Sequence, residues 1–326
     1  MGVRIPMSVE QLGRSRFAIS AAMEVVATLQ ERAASRRAPH VRRRWARARQ
    51  RMDPDQLGLV CALVPVDHPY VPDFLTPKPS QRRLAIDDAA AAVAATPPEI
   101  VERQLDVAFR GRAVHADVAE SFGGPEAFDR WRRPMPAPVE RVLREGGLGA
   151  LAARAAEALA GCFAAGLAPE WEDVLAVLED DISYRAERMA GEGTIALLDD
   201  LGDGVSWCDG EVRLERPFDV VVDWADDGLV LVPSTAHRRA VQLCAERPLT
   251  PLLSYQPVVR VHAGDGVVPP RRPPPGGSRP PAPPGAGGAL RPHGGRRGPA
   301  RRRRPRNRRV TRGMRPGNLQ FVDSRV

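Results

Sequence analysis

A chain of 326 residues with 43% apolar side chains holds enough material for one large core or two modest ones, and its formal charge is +8. That charge is unevenly placed: residues 257–326 carry 17 arginines against two acids, Asp265 and Asp323, so this segment bears +15 and residues 1–256 bear −7. A basic folded domain is thereby excluded, and the attraction to nucleic acid or anionic membrane belongs to the last seventy residues alone.

In chain order, residues 3–9 suit a short strand, and Ser8 is placed to cap a helix carrying Val9, Leu12 and Phe17. Helical spacing recurs over 21–34 through Met23, Val26, Ala27 and Gln30. A basic helix follows, in which Arg42, Arg43, Arg44, Arg47, Arg49 and Arg51 surround Trp45 up to the breaker Asp53-Pro54. The favoured reading of this run is a solvated face with Trp45 packed on the core, and contact with phosphates is the other. Residues 65–79 hold five prolines, which remove backbone donors, while Tyr70, Phe74 and Leu75 suit burial, so an ordered loop packed on the body is expected. Helices are expected over 86–95 and 98–109, the second opened by Pro98 with Ile100, Val101, Leu105 and Ala108 on one face.

The strongest pattern is a central helical pair. Leu148, Leu151, Ala155, Leu159, Cys162 and Phe163 mark the first helix, which Gly166 is expected to end. The stretch 148–167, interrupted by Arg154 and Glu157, is expected to be too polar to span a bilayer. Pro169 opens the second helix, with Glu170, Glu172 and Asp173 where the helix dipole favours anions, then Trp171, Val174, Leu175, Leu178 and Ile182 as its apolar stripe. Gly191 and Gly193 stop it, and Thr194 is expected to cap a short helix through Leu201. The period then becomes extended. Residues 204–208 and 211–215 flank Asp209-Gly210, and 218–224 and 229–233 flank Asp226-Asp227-Gly228, so two hairpins are expected, with a last strand at Leu252, Leu253 and Tyr255. The body, residues 1–256, is therefore expected to be α+β, mostly helical with a small antiparallel sheet near its C-terminal end, followed by a disordered tail over 257–326.

This order of motifs resembles the N-terminal portion of ArsR-like winged-helix transcriptional regulators. The matching stretches are Asp73-Phe74-Leu75-Thr76-Pro77, Ala168-Pro169-Glu170-Trp171, 202–207, Gly228-Leu229-Val230-Leu231-Val232-Pro233-Ser234 and Leu253-Ser254-Tyr255-Gln256-Pro257. Together they cover most of residues 1–257. The resemblance implies a bacterial regulator with DNA as its partner and a winged helix-turn-helix beginning soon after Tyr255. That pattern is missing here: residues 257–326 have 14 prolines, 12 glycines and one aromatic residue, Phe321, with no periodic apolar face. The chain uses 47 arginines and one lysine, Lys78, as a GC-rich gene does, and a shift of reading frame near Gln256 accounts for a tail of this composition and length.

The tail run Arg301, Arg302, Arg303, Arg304, Arg306, Arg308 and Arg309 suits phosphate neutralisation without sequence preference, although the aromatic interleaving that stacks bases is absent, and an unselected disordered tail is the commoner case. The acids Glu179-Asp180-Asp181 and Asp199-Asp200 suit metal or acid–base work when held in a cleft, but read here as solvated helix faces and ends. Ser234 and His237 are three apart without a strained glycine elbow, which fits a turn at a strand end. His40, His68, His115 and His237 lack the spacing of metal ligands, and Cys61, Cys162, Cys208 and Cys244 lack any CxxC pairing, so reduced, buried thiols are expected. No catalytic residues, metal or cofactor is expected. With Arg4 and Pro6 near its start and no signal peptide or membrane span, the chain is expected to be cytoplasmic. The expected function is transcriptional regulation by an ArsR-like body that lacks its DNA-reading domain, with homodimerisation or ligand sensing as its role. The rivals are an enzyme using the clustered acids and a nonspecific nucleic-acid binder acting through the arginine tail.

Overall fold

Apolar residues at helical spacing dominate the first two thirds of the chain and extended alternation the last third, and the computed structural model follows that division. It describes residues 2–34, 38–66, 68, 70–198, 200–216, 219–238, 241–246, 249–258 and 320–322. Apart from Pro257, Val258 and Gln320–Val322, the segment expected to be disordered, with its arginine run Arg301 to Arg309, lies outside the described residues.

Strand β1 (Gly2–Pro6) leads into helix α1 (Val9–Gly13), where Ser8 and Gln11 form a reciprocal capping box. The helix ends earlier than expected, and Phe17 lies instead in β2 (Arg16–Phe17), followed by β3 (Ile19–Ser20). Helix α2 (Ala21–Gln30) is buried along its whole length and is followed by α3 (Pro39–Arg51) and α4 (Pro54–Leu63). Asp53 is more than a breaker: its carboxylate accepts from the amides of Asp55 and Gln56 and so starts α4. The described part of the proline-rich loop packs on the body as expected, with Tyr70, Phe74 and Leu75 buried. After β4 (Arg83–Leu84) come α5 (Ile86–Ala94), α6 (Pro98–Ala108), α7 (Ala116–Ser121) and α8 (Pro125–Trp131).

The central pair is α9 (Ala137–Cys162) and α10 (Trp171–Glu192). Gly147 breaks α9 with φ 71°, which is why the apolar periodicity begins at Leu148. Gly166 does not end the helix. It sits in a π-helical turn, Phe163–Leu167, and a Cβ there would lie 3.0 Å from the Arg44 carbonyl oxygen, so its role is close approach to α3. Within the helical run Ala137–Glu192 an 18-residue stretch is long and apolar enough, by length and composition, to cross a membrane, so the charges of Arg154 and Glu157 do not disqualify it. In the fold, 39% of that stretch is buried, and Leu151, Ala152, Ala155, Ala158 and Leu159 belong to the helical core. Gly193, with φ 92°, stops α10, and Thr194 begins a single 3-10 turn, Thr194–Leu197, without a side-chain cap.

The strands β5 (Val205–Cys208) and β6 (Glu211–Glu215) form the expected hairpin, with Asp209 and Gly210 both at positive φ. The second expected hairpin does not form. β7 (Val220–Val221) joins the four-stranded sheet β5-β6-β1-β7, whereas β8 (Val230–Pro233) lies in a five-stranded sheet with β2, β9 (Gln242–Glu246), β10 (Leu252–Tyr255) and β11 (Gln320–Val322), in the order β11-β9-β10-β8-β2. The α+β class is as expected. Its sheets are several and mixed: β1–β6, β5–β6 and β9–β10 are antiparallel, while β8 runs parallel to both β10 and β2.

Two cores divide the work. One packs α2, α4, α5, α6, α9 and α10 through residues such as Val26, Val60, Val93, Leu105, Leu159 and Leu178. The other lies between the two large sheets, with Ile5, Val212, Leu231, Leu243 and Leu253. Because Val230 and Val232 face Met23 while Leu229 and Leu231 face the inter-sheet core, β8 is buried on both sides and reads as an unbroken apolar run.

Gly228 explains why residues 226–228 do not close a hairpin. It has φ 80°, and a Cβ there would lie 2.6 Å from the Ser15 amide nitrogen and 2.7 Å from the Gln11 carbonyl oxygen, so the turn is pressed against the end of α1. Gly228→Ala is expected to cost about 2–4 kcal/mol in urea denaturation, whereas Gly210→Ala, at a similar φ with open space around it, costs about 1 kcal/mol.

Candidate functional site

Helix α2 carries one charge inside an apolar run, Glu24, and a carboxylate removed from water needs a cation or several donors. The cation comes from α3, whose inward face is Val41, Arg44 and Ala48. Arg44 Nη1 lies 2.7 Å from Glu24 Oε1 and 3.0 Å from Thr235 Oγ1, and its Nε donates to Glu170 at the head of α10. The Thr235 amide donates to Glu24 Oε2 at 2.9 Å, and its hydroxyl donates to the same carboxylate. Arg47 adds a second cation, 3.0 Å from Glu170 Oε2, and donates from Nε to the Gly166 carbonyl at 2.9 Å. Desolvation works to raise Glu170, but hydrogen bonds from Arg44 and Arg47 outweigh it and hold its carboxyl below the usual range.

This network corrects the reading of the arginine-rich helix as a solvated face. Arg42, Arg43, Arg49 and Arg51 are exposed, Arg47 is half-buried, and Arg44 is buried with 3% of its surface exposed. Trp45 does pack on the helical core. Beside the network lies a cavity of about 290 Å³ lined by His40, Arg43, Arg44, Glu170, Thr235 and Gln256. His40 donates from Nε2 to the Thr235 carbonyl, 3.0 Å away, and desolvation followed by the Arg44 charge lowers its pKa.

A second buried carboxylate sits further along α10. Asp181 was expected on an exposed acidic face with Glu179 and Asp180, and only Asp180 is exposed. Glu179 is half-buried and paired with Arg82 and Arg83, and Asp181 is fully buried. The i,i+4 spacing places Arg185 Nε 3.1 Å from Asp181 Oδ2, and the Tyr255 hydroxyl donates to the same oxygen at 2.7 Å. Oδ1 accepts the amide of Val258 at 2.8 Å. The Arg185 guanidinium also lies over the Tyr255 ring, 4.5 Å from its centroid. Desolvation first, and the Asp181 charge next, push the Tyr255 phenol well above its ordinary range, so it remains a donor. Of the other expected acidic pair, Asp199 lies outside the described residues, and Asp200 is exposed at φ 61°.

The stretch Leu253-Ser254-Tyr255-Gln256-Pro257 thus has a physical role at each position. Leu253 enters the inter-sheet core, Tyr255 holds Asp181, Gln256 and Pro257 line the cavity, and Ser254 Oγ lies 2.8 Å from His237 Nε2. Ser234 does not partner the histidine's ring. The His237 amide donates to the Ser234 carbonyl at 3.3 Å, the strand-end turn expected from the spacing. Burial lowers the His237 pKa to about 4, so the ring is neutral. His68 reaches the Trp131 carbonyl and His115 lies near Asp106, and among the described residues no three His, Cys, Asp or Glu side chains converge to hold a metal ion. None of the four cysteines is in a disulfide, and only Cys162 and Cys244 are buried. Cys61 is half-buried and Cys208, in the β5–β6 hairpin, is exposed, which corrects the expectation of four buried thiols.

Sequence reasoning missed Glu24 and Thr235. The signal for Glu24 was present as a lone charge flanked on both sides by apolar residues of one helix, whereas nothing local marked Thr235. No protein-family model matches the chain, and no curated protein and no solved structure matches it.

Arg185→Met leaves Asp181 buried without its cation and is expected to cost about 3–5 kcal/mol in urea denaturation, while the double change Asp181→Leu with Arg185→Met costs less than the single one. His237 makes a separate contribution to pH dependence. Its folded pKa is about 4 against about 6.5 unfolded, so the unfolded chain binds the extra proton, and stability present above pH 6.5 is lost as pH falls towards 4. The loss attributable to this ring is about 3 kcal/mol. Since His40 titrates in the same direction, the measurement is the difference between the native chain and His237→Gln in chemical denaturation across that window.

Proposed function

We propose that the described body belongs to a bacterial transcriptional regulator of the ArsR-like kind, a cytoplasmic protein in which this body senses a ligand or forms a homodimer and a following segment reads DNA. The observation that carries this reading is where the resemblance motifs meet. Glu170 of Ala168-Pro169-Glu170-Trp171, Thr235 directly after Gly228 to Ser234, and Gln256 of the closing motif line one cavity, and Val258, two residues later, is bonded to Asp181. A DNA-reading domain attached at that point hangs from the wall of the cavity, which is the arrangement a ligand-dependent regulator needs. The rival reading, an enzyme working through clustered acids, draws less support, because Glu179 and Asp181 are already held by arginines. Nonspecific binding of nucleic acid through Arg301 to Arg309 remains a property of the tail and is compatible with either.

The test is the coding DNA downstream of codon 256. One of the two alternative frames is expected to encode about seventy residues with the apolar pattern of a winged helix-turn-helix, and a chain with that frame restored is expected to retard DNA from its own promoter with sequence preference. The present chain should retard DNA only in a salt-sensitive, sequence-independent way. If neither frame carries the pattern, the reading is lost.

A further inference from the structure

A second cavity, about 390 Å³ in volume, lies between the loop that follows the 3-10 turn Asp73–Leu75, the start of α6, and Cys244, Leu249 and Leu252 on the β9 and β10 side. Its walls are largely apolar, from Phe74, Ile100, Leu249 and Leu252, and Pro77 and Pro97, whose φ angles are fixed by their rings, stand on opposite elements. Such walls resist collapse. Leu249, at the edge, is 48% exposed, and a large apolar side chain left in water at the mouth of an apolar cavity gains if something covers it.

Two charges share this space. Asp73 is buried, and the Cys244 thiol donates to it; Lys78, the one lysine of the chain, donates from Nζ to the Thr250 carbonyl. A cation entering the cavity is drawn by Asp73 but repelled by Lys78, and an anion the reverse, so neither sign gains a clear Coulombic advantage, while either gives up its hydration between largely apolar walls. A neutral molecule escapes both penalties, and Asp73, an acceptor, favours one that brings an N–H or O–H.

We infer that this cavity binds an uncharged, predominantly apolar small molecule that donates one hydrogen bond towards Asp73. Phe74 and Thr76 of the motif Asp73-Phe74-Leu75-Thr76-Pro77 supply part of the wall, Pro97 and Ile100 another part, and Cys244 of β9 and Leu252 of β10 a third, so the ligand bridges the helical and sheet portions. The inference deepens the sensing role proposed above and rests on that reading only for its purpose, not for the binding itself.

The test is titration of the full chain with N-phenyl-1-naphthylamine, which is neutral and has one N–H, against 8-anilinonaphthalene-1-sulfonate, which adds a negative charge to the same skeleton. Saturable binding of one neutral probe per chain is expected, at least tenfold tighter than the sulfonate. Ile100→Trp fills the cavity and Leu249→Trp closes its edge, and each is expected to weaken the neutral probe tenfold or more with the circular dichroism unchanged. Asp73→Asn is expected to narrow the preference for the neutral probe. Should Ile100→Trp fail to fold, Leu249→Trp, at an exposed position, still decides the matter. Absence of saturable binding, equal affinity for the sulfonate, or undiminished affinity in Leu249→Trp overturns the inference. Those outcomes leave the regulator reading to the frame test, and failure of the frame test leaves the binding result standing.

Discussion

Two carboxylates without water, Glu24 and Asp181, organise this protein. Apolar burial supplies the drive to collapse but has no direction, so it does not choose which residue of a helix faces which residue of a strand. A buried carboxylate does choose, because it is costly unless its donors arrive at set distances. Glu24 requires Arg44 from α3 and Thr235 from the turn after β8, and Arg44 in turn draws Glu170 from the head of α10. Asp181 requires Arg185 from its own helix, Tyr255 from β10 and the amide of Val258. The helical and sheet cores are thus joined by charge-assisted hydrogen bonds at two points along α10.

The first of these networks also places one of the two cavities. Packing is continuous where large apolar residues interdigitate, as along α9 with α4 and α5, and it opens where ionic groups or prolines limit how closely elements approach. One opening lies beside the Arg44 network, where the guanidinium and carboxylate groups keep fixed spacing. The other lies beside Pro77 and Pro97. The cavity beside Arg44 borders Gln256 and Pro257, and the other borders β9 and β10, inner strands of the five-stranded sheet.

How much was legible in the sequence differs from element to element. The central pair α9 and α10 was plain because Leu151, Ala155 and Leu159, then Val174, Leu178 and Ile182, repeat at helical spacing over many turns. The β5–β6 hairpin was plain because Asp209-Gly210 suits positive φ at two consecutive residues. Helices α4, α7 and α8 went unseen: α7 and α8 are each seven residues or fewer, too short for a period to stand out, and at α4 the Asp53-Pro54 pair reads as a breaker although it starts the helix. The false second hairpin has another cause. Gly228 carries the local mark of a turn, but its positive φ serves close contact with α1, and the strands on either side pair in different sheets.

The amino-acid order alone determined the division between an acidic body able to collapse and an arginine- and proline-rich segment, the helix-then-strand succession, and some element ends, such as Ser8 before α1, Gly193 after α10 and Asp209-Gly210 between β5 and β6. These follow from side-chain volume, period and backbone freedom, which act within a few residues. Only the tertiary structure decided that Arg44 turns inward while Arg42 and Arg43 stay in water, that Asp181 is clamped although Asp180 is solvated, and that β8 lies between β10 and β2. The physical reason is distance along the chain: the partners of Glu24 and Asp181 lie as far as 211 and 77 residues away, and no local pattern carries a hydrogen bond that closes only when separate layers meet.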